Sequence, residues 1–358
     1  MDRSAPDRAV ARWLYLCAAM VFAMVVIGGI TRLTESGLSI VEWQPLVGAI
    51  PPLSEADWQA LFQKYRLSPQ FQQVNRGMEL VEFKAIFWWE YIHRLWGRLI
   101  GVAFLLPFLW FLWRGGVKGA LAWRLAGIFA LGGLQGAMGW YMVASGLVDR
   151  PEVSQYRLVA HLGLALLIYA LLLWQAMALR HPAKWHPASA ATAGSPEPSQ
   201  AAATGGNDRQ SRLRHGATAL LVLIVLTMLA GGFVAGLDAG MIYNTFPLME
   251  GRIVPPDYGA MAPWWRDWFE NRATVQFHHR VLGIATLLGV LACVPWMAGH
   301  AAARRAAVIL ALLALLQVAL GIATLLLVVP VPLAALHQAG AMALLTAALW
   351  LRFRLRRS

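Results

Sequence analysis

Glu90, His93, His161, His279 and His337 are ionisable side chains that stand inside apolar stretches of this sequence. Each histidine lies within the first eight residues of its stretch, in 86–112, 157–180, 274–298 and 333–352. An ionisable group in a hydrocarbon setting is costly and usually has a task. Neutral imidazole is a metal ligand. Two imidazoles from facing helices, with nitrogens about 2 Å on either side of an iron, leave a flat slot between helices, which suits axial coordination of a haem. The carboxylates and thiolates that would complete a zinc or di-iron site are missing at this depth. A di-iron site needs Glu-x-x-His from two helices, and here it occurs once, as Glu90 and His93.

The histidines fall into a repeat. GGITRLTESGL at 28–38 matches GGFVAGLDAGM at 231–241, His93-Arg94 with Gly97 matches His279-Arg280 with Gly283, and Leu134-Gln135 with Gly139 matches Leu316-Gln317 with Gly321. His161 matches His337 in the same order. The register that pairs His93 with His279 puts Gln276 opposite Glu90. An amide can orient a ligand but cannot take up a proton. The first half is therefore expected to carry the chemistry, with Glu90 as its proton-handling group, and the second half to hold a stable cofactor. The alternative for Glu90 is a helix cap or a pair with Arg94.

Arg94, Arg98 and Arg280, just past the histidines, are candidates to neutralise haem propionates; snorkelling and helix-to-helix hydrogen bonds are the competing roles. Gln135 and Gln317 read as interhelical hydrogen-bonding residues, and Gly28-Gly29 and Gly231-Gly232 as points of close helix contact. His278 has Ile92 as its register partner, so it reads as non-axial, with the haem edge or the outer interface as its destination. His181, His186, His215 and His300 read as interfacial or loop residues.

The elements that position these residues follow from composition. The chain has 358 residues, 59% hydrophobic and 13% charged, against about 25% charged in an average soluble domain. That excludes a disordered chain and an ordinary soluble enzyme. Eight stretches are long enough to span a bilayer: 13–33, 86–112, 122–145, 157–180, 216–236, 274–298, 306–329 and 333–352. The loops sort by charge. One side holds seventeen Lys and Arg, from Arg3, Arg8 and Arg12 to Arg352–Arg357, against Asp2, Asp7, Glu197 and Asp208. The positive-inside rule then places both termini in the cytoplasm, and the net charge of +12 becomes a topology signal with no need for a nucleic-acid partner. Cys17 and Cys293 both lie in apolar stretches and offer neither a disulfide framework nor metal spacing.

Two outer loops are long. In 34–85, Ser54 with Asp57 predicts a capping box and Ser68-Pro69 a second helix start. Trp58, Leu61, Phe62 and Tyr65 share one face, which suits the membrane surface or a lid over a site. In 237–273, Trp264, Trp265, Trp268 and Phe269 read as an interfacial aromatic belt. Residues 187–211 lack apolar periodicity and read as a flexible cytoplasmic linker. Each half has an even number of spans, so the halves enter the membrane in the same direction and a pseudo-two-fold axis along the membrane normal is expected. The fold expected is all-α and polytopic: an N-terminal four-helix bundle in 1–186, the linker at 187–211, and a C-terminal four-helix bundle in 212–358.

EFKAIFWWEYIHRLWGRLIG at 82–101, YRLVAHLGLAL at 156–166, YNTFPLMEGRIVPP at 243–256, VQFHHRVLG at 275–283 and LHQAGAM at 336–342 together resemble the heme A synthase family, most of all its alphaproteobacterial and mitochondrial branch. The likeness covers nearly the whole chain except the linker. It implies eight helices in two bundles and an oxidoreductase of the bacterial inner membrane. The reaction implied converts the C8 methyl of heme O to the formyl of heme A, by successive hydroxylations, for cytochrome oxidase. It also implies that His93 and His161 hold substrate heme O, that His279 and His337 hold a heme b, and that Glu90 is catalytic. Some bacterial members have a cysteine pair in the first outer loop. Residues 34–85 have none, so a thiol-based step there is in doubt. The partners implied are heme O, a heme O synthase, cytochrome oxidase assembly factors, an electron-transfer partner and membrane lipid, with a homo-oligomer left open. A di-haem b-type cytochrome that only passes electrons would carry the same histidines and is the competing reading. A transporter would want Gly/Pro-broken helices at the midplane, whereas the prolines here fall mainly in loops or near span ends.

Overall fold

The computed structural model describes residues 4–42, 47–148, 153–181 and 200–356. Eleven α-helices account for most of them: α1 (Ser4–Leu33), α2 (Glu55–Arg66), α3 (Pro69–Gln73), α4 (Leu80–Trp113), α5 (Gly119–Gly146), α6 (Gln155–Arg180), α7 (Gln200–Gly236), α8 (Trp264–Glu270), α9 (Arg272–Ala298), α10 (Arg304–Leu326) and α11 (Val331–Arg354). Among the described residues there is no strand beyond one isolated bridge, Met249 with Arg252. Seven of these helices are long and apolar enough to cross a membrane, so the chain is a multi-pass helical membrane protein. α5 is 28 residues long but falls outside the seven. Its apolar run is diluted by Gly127, Gly132, Gly133, Gly136, Gly139 and Gln135.

Two boundaries differ from expectation. α10 stops at Leu326 rather than near 329, because Val328 and Val329 turn into left-handed backbone (φ 59° and 57°) ahead of Pro330. β-branched residues rarely accept that conformation, so the turn is strained. The 187–211 segment is described only from Gln200, and there it is already the start of α7; the remainder of the expected linker lies outside the described residues.

α1 packs on α4 and α6, and α5 on the same two helices. α7 packs on α9 and α11, and α10 on those two. α1 with α11, and α6 with α7 and α11, join these groups. The glycine pairs of the repeat sit at that junction. A Cβ at Gly29 of α1 would overlap the amide of Gln338 on α11, and one at Gly232 of α7 would stand 3.1 Å from Leu162 and Val159 on α6. Gln338 and Leu162 are repeat counterparts, each following its matched histidine, so each half offers the other the same glycine. Gln338 also donates to the carbonyl of Val25 (2.8 Å), and Tyr169 shares a hydrogen bond with Thr346 (2.6 Å). Between α1 and α4 the indoles do the joining: Trp13 Nε1 donates to Ala103 O (2.8 Å) and Trp96 Nε1 to Met20 O (2.9 Å). A buried indole needs such an acceptor.

The outer loops cap the helix ends. Ser54 and Asp57 form the expected capping box, and Ser68 with Pro69 the second helix start. The apolar face of α2 settles on α4: Trp58, Phe62 and Tyr65 pack among Phe83, Phe87 and Tyr91. The second loop is gathered by Asp267, which is 2% exposed. Its carboxylate accepts from the backbone of Gly259 and Met261 (3.1 and 3.0 Å), from Asn271 Nδ2 (2.7 Å) and from Thr274 Oγ1 (2.7 Å). Burial opposes its charged form, but these donors outweigh it and hold the carboxyl below its usual range. A depressed pKa stabilises the folded loop above the ordinary carboxylate pKa, and that contribution disappears as pH falls through the lowered value. Protease susceptibility of the 237–263 loop is therefore expected to rise below about pH 4. Asp267→Ala should cost about 1–3 kcal/mol and expose the same loop at neutral pH. Limited proteolysis with peptide mapping checks both, and an unchanged cleavage pattern in Asp267→Ala would refute this role.

Candidate functional site

Four glycines decide where the four histidines sit. Gly28 of α1 faces His93 of α4, and a Cβ there would lie 3.2 Å from Nε2. Gly139 of α5 faces His161 of α6, at 3.3 Å from Cε1. In the second half Gly231 of α7 faces His279 of α9 at 3.0 Å, and Gly321 of α10 faces His337 of α11 at 2.8 Å. Contacts below about 3.4 Å leave no comfortable place for a side chain, so each imidazole lies flush against neighbouring backbone. All four histidines remain half-buried.

The rings pair as the repeat requires. His279 and His337 stand with ring centroids 6.4 Å apart and planes at 86°. A metal–imidazole bond is about 2 Å, and with roughly 1 Å from nitrogen to ring centre, two rings flanking one metal have centroids about 6 Å apart. The separation fits. His161 lies close enough to His93 for a charge on either ring to act on the other. His279 Nδ1 meets the carbonyl of Thr227 at 3.1 Å. A carbonyl only accepts, so Nδ1 carries the hydrogen and Nε2 presents its lone pair. His161 and His337 each keep a buried Nδ1 with no hydrogen-bond partner. Among the described residues no cluster of three or more His, Cys, Asp or Glu is placed to hold a metal ion. What the helices build is pairs. Gln135 and Gln317 are the interhelical residues expected, donating to the carbonyls of His161 (3.1 Å) and His337 (2.8 Å).

Above the pairs, each half repeats one clamp. Arg94 donates to Ile40 O (2.9 Å) and Glu42 O (3.3 Å), and Arg280 donates to Tyr243 O (2.6 Å) and Thr245 O (2.9 Å). Those acceptors stand at equivalent places in the segments that follow α1 and α7. One turn earlier, Glu90 and Gln276 are 2% exposed. Gln276 donates to Ala239 O (2.8 Å) and Ile242 O (2.6 Å) and accepts from Arg280 (3.0 Å). Glu90 only accepts: from Ser39 Oγ and Ile40 N, both at 2.7 Å, and from Arg94 at 2.5 Å. Glu90 is thus paired with Arg94, the alternative its sequence position had left open, and it sits in a frame whose second-half copy holds an amide beside its arginine.

Arg94 and Arg280 spend three donors each on this clamp, out of five per guanidinium. His278 goes outward, not to the pair: Nε2 lies 3.2 Å from Tyr258 Oη, and the ring edges onto Trp268 at 5.1 Å. His215 lies near Ser211, and the carbonyl of His181 accepts from Arg356, both outside the pairs. Sequence reasoning missed Ser39, Ile40 and Thr227. Ile40 and Thr227 act through backbone, which leaves no side-chain signal. Ser39 could have been found, because the offset that aligns the two glycine pairs sets it against Ile242.

The fold and these pairs define a multi-pass helical membrane protein with a duplicated bis-histidine arrangement. The chain belongs to the COX15-CtaA family of cytochrome oxidase assembly proteins, whose model matches residues 11–349. It is 52% identical to the heme A synthase of Nitrosospira multiformis, over 99% of this chain and 96% of that relative. It is 50% identical to the heme A synthase of Nitrosomonas eutropha, over 95% of this chain and 92% of the relative. With the heme A synthase of Rhodospirillum centenum it shares 52% identity over 97% and 88%. The family read from the motifs is borne out.

The glycine contacts make a sharp expectation. Gly321→Val would drive a branched side chain into His337, and overpacking of that kind weakens a site about tenfold or more. The haem content of the purified protein should fall accordingly. Gly283→Ala, where an added Cβ meets nothing within 4 Å, should leave it intact. Equal haem content in the two variants would refute the cradle.

Proposed function

We propose that this chain acts as heme A synthase, an oxidoreductase that converts the C8 methyl of heme O to the formyl of heme A by two hydroxylations and loss of water. Full-length likeness to relatives of that name supports the reading. One structural observation carries its chemistry: the same hydrogen-bonded frame holds a carboxylate in one half and an amide in the other. A group that must give and take protons is needed where substrate reacts and is a liability where a cofactor only stays.

The architecture proposed is two four-helix bundles, in 1–186 and 212–358, joined by 187–211 and related by a two-fold axis along the membrane normal. α5 is its eighth span. The reciprocal glycine contacts support the axis. The charge sorting supports cytoplasmic termini in a bacterial inner membrane.

In this arrangement His93 and His161 hold substrate heme O in the first half. His279 and His337 hold a heme b in the second. When bound there, heme b supplies one-electron transfer. The carbonyl of Thr227 fixes the tautomer of His279 and so aims Nε2 at the ligand. Gln135 and Gln317 hold the backbone of the second histidine of each pair. Arg94, Arg98 and Arg280 supply positive charge for propionates at the outer end, Arg94 and Arg280 from positions their loop carbonyls fix. Glu90 handles protons at the substrate's edge. The isoprenoid tail of heme O is apolar, so substrate arrives laterally from the bilayer. A heme O synthase is its source, cytochrome oxidase assembly factors receive the product, and a separate redox partner exchanges electrons.

Co-expression with a heme O synthase, then extraction and chromatography of the pigments, tests this. Heme A or a hydroxylated intermediate is expected. Heme B alone would favour a cytochrome that only transfers electrons. Glu90→Gln, which installs the second-half residue, should hold haem normally and form heme A about 100-fold more slowly. Full activity there would remove Glu90 from the chemistry. His279→Ala should lose the heme b spectrum first, and a normal low-spin bis-histidine signal in that variant would contradict the pairing.

A further inference from the structure

We propose that Ser39 is a positioning residue for Glu90: its hydroxyl holds the carboxylate when ionised and remains its partner when protonated. This rests on the reading of Glu90 as the proton-handling group. Glu90 has a fixed set of partners. Arg94 and the backbone N–H of Ile40 can only donate, so neither can accept the hydrogen of a protonated carboxyl. Ser39 differs, because a hydroxyl both donates and accepts. Its Oγ lies 2.7 Å from Glu90 Oε2 and 3.4 Å from the carbonyl of Ile86.

Those two acceptors define two settings. With Glu90 ionised, Ser39 donates to Oε2. When a proton arrives on Oε2, a new O–H bond forms there, and the Ser39 hydroxyl rotates to donate to Ile86 O while accepting from Glu90. No bond of serine breaks, and the oxygen of the protonated group keeps a lone pair for Ile40 N–H. Ser39 is itself 2% exposed, so water does not substitute for it.

The repeat supplies an internal control. The position equivalent to Ser39 is Ile242, and it is paired with Gln276, not with a carboxylate. There the backbone carbonyl of Ile242 accepts from the amide, and no hydroxyl is present. The hydroxyl occurs in the half whose frame holds a group able to change its protonation state, and is absent from the half whose group cannot.

The test uses the full-length haem-loaded protein with Ser39→Ala, Ser39→Thr, Ser39→Cys and Glu90→Gln. Acid-minus-neutral infrared difference spectra report the carbonyl stretch of the protonated carboxyl, assigned by its loss in Glu90→Gln. We expect Ser39→Ala to bind as much haem as the parent, to shift that band, and to form heme A about tenfold more slowly, the effect of one lost hydrogen bond to a charged group. Ser39→Thr should restore band and rate. Ser39→Cys, nearly isosteric with a weak donor, should fall between and serves if the alanine variant folds poorly. A parental band and rate in Ser39→Ala or Ser39→Cys, while Glu90→Gln remains slow, would overturn the role of Ser39 alone. Full activity in Glu90→Gln would overturn the underlying reading instead.

Discussion

The molecule depends on bare backbone pressed against imidazole. At four places a glycine lets one long helix come close enough for a histidine ring on its neighbour to lie against the main chain. The contact sets the ring against the main chain without itself spending a hydrogen bond. It also fixes the helix spacing, because any larger residue would push the pair apart. Several kinds of interaction then follow from that spacing: the glutamines that reach the histidine carbonyls, the carbonyl of Thr227 that sets a tautomer, and the centroid separation of 6.4 Å in the second half.

The same device joins the halves. In each glycine pair the first residue receives a histidine of its own half and the second receives a side chain of the other, Gln338 against Gly29 and Val159 with Leu162 against Gly232. Adjacent glycines on a helix point about 100° apart, so one dipeptide can serve two neighbours. This explains why both glycines recur in both halves. In a bilayer there is little hydrophobic force to press helices together, and close packing of small residues with a few hydrogen bonds has to serve. The cross-half bonds of Gln338 and Tyr169 are of that kind.

Most of the fold was legible because its signals are side-chain signals. Seven of the apolar stretches recur as spans, and their histidines and glutamines meet as the repeat offsets required. The exceptions have physical causes. α5 reads as a span by position, yet its glycines and Gln135 lower its hydropathy, and of the glycines within the run only Gly139 lies against a neighbouring helix. The end of α10 was misjudged because Val328 and Val329 are apolar and look like continuing helix, while the backbone turns there. The arginines were read as propionate ligands from charge and position. The carbonyls of Ile40, Glu42, Tyr243 and Thr245 that hold Arg94 and Arg280 leave no trace in residue identity. The same holds for the carbonyl of Thr227. A sequence shows which groups can donate and accept, but backbone acceptors are everywhere, and only the fold says which are near.

Duplication makes the remaining differences informative. If both halves served only to hold a haem, the clamp above each pair would be free to keep one chemistry, and a buried carboxylate demands compensation of its own. The first half bears that demand. It surrounds Glu90 with a guanidinium, a backbone N–H and a buried hydroxyl, where the second half satisfies Gln276 with two ordinary carbonyls and its arginine. An arginine is common to both clamps, so its presence alone does not call for the carboxylate. A carboxylate set one turn before a histidine, in a frame whose own copy does with an amide, is the arrangement expected where protons must move.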